Sequence, residues 1–189
     1  MKRSLVLCCL LLFPVVVSAS QFVKLPFDEV ARGATLVVRG TMGPVTSGWD
    51  DEHQIIYSSA QLEVSRYIAG FGPNVLQVRE IGGTVGGYTQ EAIGFPVLQE
   101  GQEVVLFLTR WDDSSDWRIH EYSQGKYSLR QAGPRLIVAP DSMTQGADQE
   151  SIASEERAVL GADMSFDEFV SMVQAARRGE TGERERPRK

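Results

Sequence analysis

Residues 55–68 read IIYSSAQLEVSRYI, a long alternation of apolar and polar side chains. The apolar set is Ile56, Ala60, Leu62, Val64 and Ile68, and the opposite set is Tyr57, Gln61, Glu63 and Tyr67. A period of two places successive side chains on opposite faces of a β-strand, so this segment is the strongest strand signal of the chain. Flat strands of this length are uncommon, and we expect a coiled or bulged strand that serves two parts of a barrel.

Strand patterns continue on both sides of this segment. A strand is predicted from Thr35 to Met42 and ends at Gly43-Pro44, and the turn at residues 70–74 leads into a strand from Val75 to Ile81 that completes an antiparallel hairpin. Residues 102–110 contain VVLFL, which is apolar on both faces and typical of a covered central strand. Shorter strands are predicted at 117–123, 127–129 and 135–138. The pattern predicts a mainly β fold, a barrel of about five to six antiparallel strands with a C-terminal α-helix.

Two helices flank the predicted barrel. Residues 25–33 have a proline near the start, acids in the first turn and a glycine at the end, which indicates a short helix. Ser165 and Glu168 form a capping box for a helix over residues 165–179. The helix carries one apolar stripe, formed by Phe166, Phe169, Val170, Val173 and Ala176. Such a stripe predicts packing on the core, with a partner-binding helix as the alternative.

The segment from residue 82 to residue 96 is rich in glycine and is predicted to be a flexible loop, with a short edge strand around residues 91–94. Its GGTVGG run suggests a phosphate loop, but the segment lacks a lysine and the G-x-G-x-x-G order, and no helix follows. A barrel connection is the favoured interpretation.

The first 20 residues have the three parts of a secretory signal: Lys2 and Arg3, an apolar run, and small residues before a cleavage point after Ala19 or Ser20. The apolar run is too short to span a bilayer. The chain is therefore predicted to be exported, periplasmic or extracellular, and soluble. Cys8 and Cys9 lie in this leader, so the mature protein is predicted to have no thiol.

The sequence predicts one barrel domain over residues 21–138, a polar loop over 139–164, the helix over 165–179 and a disordered charged tail over 180–189. Without Lys2 and Arg3 the count is 17 basic against 25 acidic residues, a net charge of −8. Residues 177–189 carry +3, which leaves −11 on the body. An acidic body disfavours nucleic acid and anionic lipid, because binding to phosphate depends on Lys and Arg.

Catalytic and metal-binding patterns are weak. The two histidines, His53 and His120, fall in different elements, and neither H-E-x-x-H nor C-x-x-C spacing occurs. No G-x-S-x-G motif positions a serine. Residues 112–116 hold three aspartates without EF-hand spacing, which favours an acidic turn over a calcium site. We predict no cofactor and no metal site, and an enzyme is less favoured than a non-enzyme.

The order of elements carries a resemblance. LVVRG at 36–40, YIAG at 67–70, EGQEVVLFL at 100–108 and SQGKY at 123–127 resemble the pattern of secreted bacterial proteins, and more distantly the netrin-like domain of tissue inhibitors of metalloproteinases. The resemblance implies that the barrel is a small Greek-key (OB-like) barrel of five strands with a helix packed against it, over residues 27–129. Those inhibitors chelate zinc through an N-terminal cysteine, which a mature N-terminus at Ser20 or Gln21 cannot supply, so that mechanism does not transfer.

Three functions follow as hypotheses. The first is an exported, non-enzymatic binding or accessory module that engages a protein or envelope partner through barrel loops. The second is a metal-dependent hydrolase that uses His53 or His120 with neighbouring acids, and the third is an accessory or inhibitor-like partner of an exported protease. The candidate partner-binding residues are Trp49, Asp50, His53, Gly83, Gly86, Tyr88 and Phe95.

Overall fold

The computed structural model describes residues 24–112, 114–141 and 164–180. The helices are α1 (Phe27–Gly33) and α2 (Phe166–Arg178), and the strands are β1 (Leu36–Trp49), β2 (Ile56–Ala69), β3 (Val75–Ile81), β4 (Gly83–Val85), β5 (Tyr88–Gln90), β6 (Glu103–Arg110), β7 (Trp117–Ile119), β8 (Lys126–Ala132) and β9 (Arg135–Pro140). A short 3₁₀ turn covers Tyr122–Gly125. The predicted leader, most of the polar loop and the charged tail lie outside the described residues.

The main sheet closes partly into a barrel-like ring, as the sequence predicts. Its order is β1-β2-β3-β7-β6, and β6 returns to pair with β1, while β8 and β9 extend the sheet from β6. The ring is closed between β3 and β7 by one residue pair, Val78 with Trp117, and this pairing is parallel. The other pairings of the described main sheet are antiparallel, as predicted. In a ring of five strands the directions cannot alternate all the way round, so one neighbouring pair must be parallel.

The β1–β2 hairpin is longer than the ring needs. The first half of β1 pairs with β6, and the first half of β2 pairs with β3, so the hairpin contributes to two parts of the ring. Shifts in the β1–β2 register bend the two strands, which confirms the expected bulges. β1 does not end at Gly43-Pro44 as predicted, because Pro44 falls in a register shift where no ladder hydrogen bond is required of it.

Two apolar clusters lie on opposite sides of the sheet. Val104, Leu106 and Leu108 of β6 belong to the cluster inside the ring, and Val105 and Phe107 belong to the cluster under the helices. All five side chains are buried, which confirms the prediction of a central strand covered on both faces.

Helix α2 packs on the outer cluster. Its predicted apolar stripe is buried, and Phe169 meets Phe27 of α1 with ring centroids 5.7 Å apart. The capping box is present, and hydrogen bonds from Ser165 hold the pKa of the Glu168 carboxyl below its usual value. Because the stripe is used within the molecule, the alternative of a partner-binding helix is wrong.

The glycine-rich segment is more ordered than the sequence suggests. β4 and β5 form a two-stranded hairpin that precedes the predicted edge strand, and residues 91–94 are not in a strand. The predicted strand over 117–123 is also shorter, since the 3₁₀ turn begins at Tyr122. Among the described residues, no helix is long and apolar enough to cross a bilayer.

Candidate functional site

An aromatic cluster lies where the β1–β2 hairpin projects beyond the ring. Trp49, the last residue of β1, stacks on His53 with centroids 6.4 Å apart and planes at 20°. Tyr88 of β5 meets the same indole edge-on at 6.2 Å. We call Trp49, His53 and Tyr88 the tip cluster. Three of the predicted partner-binding residues are thus brought together from two separate loops.

The loop that carries His53 is held by Asp50. Its carboxylate accepts hydrogen bonds from the amides of Gln54 and Ile55, at 2.6 and 3.1 Å, and its own amide donates to the Ile55 carbonyl at 2.8 Å. His53 has a φ of 56°, a left-handed conformation that is uncommon for residues other than glycine. Asp50 therefore fixes the turn that presents His53, and its side chain is used within the loop.

The β4–β5 hairpin is fastened to the β1–β2 hairpin by polar side chains. The Ser58 hydroxyl donates to the Gly82 carbonyl at 2.7 Å, and the Ile56 amide donates to Oε1 of Gln90 at 2.6 Å. Gly83 has a φ of 135°, and a β-carbon there would collide with the Ser47 and Ser58 hydroxyls. Gly83 thus permits the close approach that brings Tyr88 to Trp49.

Gly86 and Phe95 have other surroundings. Gly86 lies in the β4–β5 turn with a φ of 56°, and the space around it is open. Phe95 is half-buried and meets Tyr122 edge-on at 4.8 Å. Phe95 also lines a small cavity of about 220 Å³ behind the β4–β5 hairpin, which it shares with Gly83.

A polar groove lies on the outer face of β1, β2 and β3, next to the tip cluster. We call it the outer groove. It measures about 690 Å³ and is lined by Thr46, Ser47, Gly48, Trp49, Asp50, Asp51, Glu52, Tyr57, Ser59, Arg79 and Asp116. Thr46 and Gly48 are paired across the ladder with Ser59 and Tyr57, which places these four residues on one face.

One guanidinium group and two aromatic rings fix one wall of the outer groove. The Arg79 guanidinium lies 4.7 Å from the Tyr57 ring centroid and 5.1 Å from that of Trp111. The Trp111 indole donates to the Arg79 carbonyl at 2.9 Å, and Arg79 Nε is 3.9 Å from an Asp116 carboxylate oxygen. These contacts hold the Tyr57 ring and the guanidinium in place before any ligand arrives.

A buried carboxyl group, that of Glu80, lies one residue before the C-terminal end of β3. Glu80 is 2% exposed and accepts a hydrogen bond from the Ile119 amide. Loss of hydration is the largest influence on this group and raises its pKa to about 8, against the opposing effects of Ile119, Arg118 and Lys126. Glu80 therefore carries a proton at neutral pH.

The two histidines are far apart in the chain and differ in their surroundings. His53 is exposed in the tip cluster, whereas His120 is partly buried beside Gly33 and Glu121. Burial lowers the pKa of the His120 imidazole. Within residues 24–112, 114–141 and 164–180, no group of three or more His, Cys, Asp or Glu side chains is placed to hold a metal ion.

Sequence reasoning missed Tyr57, Arg79, Trp111 and Glu80. The alternation of β3 carries a signal for Glu80, because it places this acid on the same face as Leu76 and Val78. The outer groove has no such signal, since it depends on the register of three strands.

The fold and the site define a small OB-like barrel with an ordered aromatic tip and a polar groove beside it. No protein-family model matches the chain, and no curated protein matches its sequence. The functional argument therefore rests on the geometry of the chain itself.

Proposed function

We propose that this protein is an exported binding module that contacts a protein or envelope partner through the tip cluster. The observation that carries the proposal is the convergence of Trp49, His53 and Tyr88 from two loops that are each fixed by hydrogen bonds. Tyr88 is 70% exposed although it touches Trp49. Ordered aromatic side chains at a projecting tip are the usual anchors of protein interfaces.

The rigidity of both loops favours binding over a purely structural role for the rings. Asp50 fixes the turn before His53, and Ser58 and Gln90 fasten the hairpin that carries Tyr88. Ordering these loops therefore costs little at the moment of binding, which improves affinity for a given contact area.

Export is the second part of the proposal. It is supported by the leader over residues 1–20 and by the absence of any cysteine after residue 9, which suits a chain that folds outside the cytoplasm. The sequence resembles the netrin-like domain of metalloproteinase inhibitors, and this resemblance suggests a protease as a partner. An exported protease is therefore one partner class to include in the test.

The test is a comparison of three proteins immobilised at equal density. Envelope extract and culture supernatant of the source organism are passed over the wild type, the double variant Trp49→Ala/Tyr88→Ala and the variant Phe71→Ala. Phe71 is the matched control, because it is an aromatic side chain, 91% exposed, on the β2–β3 turn. All three are first checked for equal folding by circular dichroism.

We expect the wild type and Phe71→Ala to retain the same partner and the double variant to lose it, with an affinity at least about tenfold weaker, since interface aromatic residues contribute most of the binding energy. Equal retention by all three proteins would show that the tip cluster is not the contact surface. Retention of nothing by the folded wild type would overturn the proposed function.

A further inference from the structure

The outer groove has a chemistry that the tip cluster does not share, and it points to a ligand class. We infer that the outer groove binds an oligosaccharide that carries no anionic groups. This inference goes beyond the proposed function, although the loop from Trp49 to Glu52 belongs to both surfaces. It concerns a different face of the β1–β2 hairpin.

The size and polarity of the groove set the first constraint. Its volume of about 690 Å³ falls within the range of small-ligand sites. The lining is dominated by hydroxyl, carboxylate and backbone groups, with Thr46 and Ser59 on its floor. An apolar side chain or lipid would leave these groups without water or partners, which is costly. A sugar offers both donors and acceptors at every ring.

Tyr57 supplies the second constraint. The Arg79 guanidinium and the Trp111 ring hold Tyr57 from two directions, the latter edge-on at 5.8 Å, so that the phenol ring is fixed within the groove wall. Trp49 lines the groove as well. Sugar rings have apolar faces of C–H groups that pack on aromatic rings, and their hydroxyl rims then reach the polar groups around them.

Charge decides between the polymers that such a groove can take. Four carboxylates line it, those of Asp50, Asp51, Glu52 and Asp116, against the single guanidinium of Arg79. Arg79 is moreover engaged by Asp116. Nucleic acids and sulfated or uronic glycans are repelled by this balance, because anion binding needs an excess of cations. Neutral sugars and amino sugars remain, and carboxylates accept hydrogen bonds from both.

The experiment fills the groove and leaves the three residues of the tip cluster unchanged. Ser59→Trp fills the groove from its floor, and Gln61→Trp places the same bulk two residues further along the same face of β2, outside the groove lining. Binding of chitohexaose, of its deacetylated glucosamine hexamer and of a heparin hexasaccharide is measured by titration calorimetry for the full chain and each variant. Tyr57→Leu serves as a second variant that keeps apolar bulk but removes the ring.

We expect the wild type and Gln61→Trp to bind the neutral or the glucosamine hexamer, and Ser59→Trp and Tyr57→Leu to bind at least about tenfold more weakly. Neither the wild type nor any of the three variants should bind the heparin hexasaccharide. The inference is overturned if neither uncharged nor cationic hexamer binds, if heparin binds best, or if Ser59→Trp and Gln61→Trp bind alike.

The outcome is separate from that of the proposed function. The single variant Tyr88→Ala tests partner capture at the tip cluster alone, because Tyr88, unlike Trp49, does not line the outer groove, whereas Ser59→Trp tests sugar binding in the groove. Sugar binding that is lost only in Ser59→Trp and Tyr57→Leu, together with a tip cluster that captures nothing, would uphold the sugar site and remove the protein-partner role. A captured partner without sugar binding would uphold the protein-partner role and remove the sugar site.

Discussion

Glu80 shows how a single residue can depart from an otherwise apolar pattern. Its inward neighbours on β3, Leu76 and Val78, are buried in the ring, and Glu80 continues that face with a carboxyl group. The Ile119 amide satisfies one oxygen, so the acid joins β3 to β7 at the end of the ring where the strand pairing is limited to Val78 and Trp117. The carboxyl thus reinforces a weak seam of the sheet.

The raised pKa of Glu80 predicts a pH dependence of stability. The unfolded chain loses the proton near pH 4.5 and the folded protein near pH 8, so the folded state binds more protons between these values. The free energy of unfolding should therefore fall as the pH rises through this window. The expected fall is on the order of a few kcal/mol.

The variant Glu80→Gln keeps an acceptor for the Ile119 amide and cannot ionise. We expect its stability to change less with pH, and to exceed that of the wild type at the alkaline end of the window. Urea unfolding at both ends measures this. A wild type and a variant with parallel pH profiles would show that Glu80 does not titrate in the window.

Lys126 is a buried cation at the start of β8. Its ammonium group donates to the Val97 carbonyl at 2.5 Å and pairs with Asp141 at 2.5 Å, although the residue is 1% exposed. Lys126→Met leaves the Val97 carbonyl and the partly exposed Asp141 carboxylate without this donor and should cost about 1–3 kcal/mol in unfolding free energy. The exposed Arg130 lies on the same strand, and Arg130→Met should cost less than about 1 kcal/mol. Equal losses in urea unfolding would contradict a special role for Lys126.

At the scale of elements, periodicity was sufficient for most strands and for α2. β3 has the predicted bounds, and α2 lies within one residue of its predicted ends because the capping box and Gly179 mark both of them. The β4–β5 hairpin was missed because it is held by hydrogen bonds to distant parts of the chain, from the Ser58 hydroxyl to the Gly82 carbonyl and from the Ile56 amide to Oε1 of Gln90. Local sequence patterns do not record such long-range hydrogen bonds.

The capping box of α2 makes a prediction for that element. Ser165→Ala removes the acceptor for the Glu168 amide and should lower the free energy of unfolding by about 1 kcal/mol. Ser171→Ala is the matched control, since the Ser171 hydroxyl is exposed in mid-helix and donates to the Asp167 carbonyl. This control should be neutral or slightly stabilising, because alanine is the better helix former. Thermal unfolding of both variants decides the point.

At the scale of the molecule, composition and strand order were enough for the fold class, and the site was predictable only in part. Trp49, His53 and Tyr88 were candidates from the sequence, but their contact joins residues 39 positions apart and requires the docked hairpin. The outer groove needs the registers of β1, β2 and β3 together with the position of Asp116. These are properties of tertiary packing and have no local signature.

The location of both cysteines in the predicted leader gives a prediction for the whole chain. Protein recovered after export should have lost residues 1–19 or 1–20, depending on whether cleavage follows Ala19 or Ser20. It should show no thiol that reacts with Ellman's reagent under denaturing conditions. Unprocessed protein from the cytoplasm should show two. Mass spectrometry of the same samples gives the cleavage point. Two thiols in the exported protein would contradict removal of the leader.

The contact between the two helices has a consequence for biogenesis. Arg177 of α2 donates to the carbonyls of Ala31 and Ala34, at 2.7 and 2.8 Å, so the first and last described elements are bonded across 146 residues. During synthesis Phe107 cannot be covered until α2 has emerged. Contacts of such long range slow folding. If the chain is exported as proposed, this delay keeps it unfolded, which is the state in which a translocation channel passes a protein.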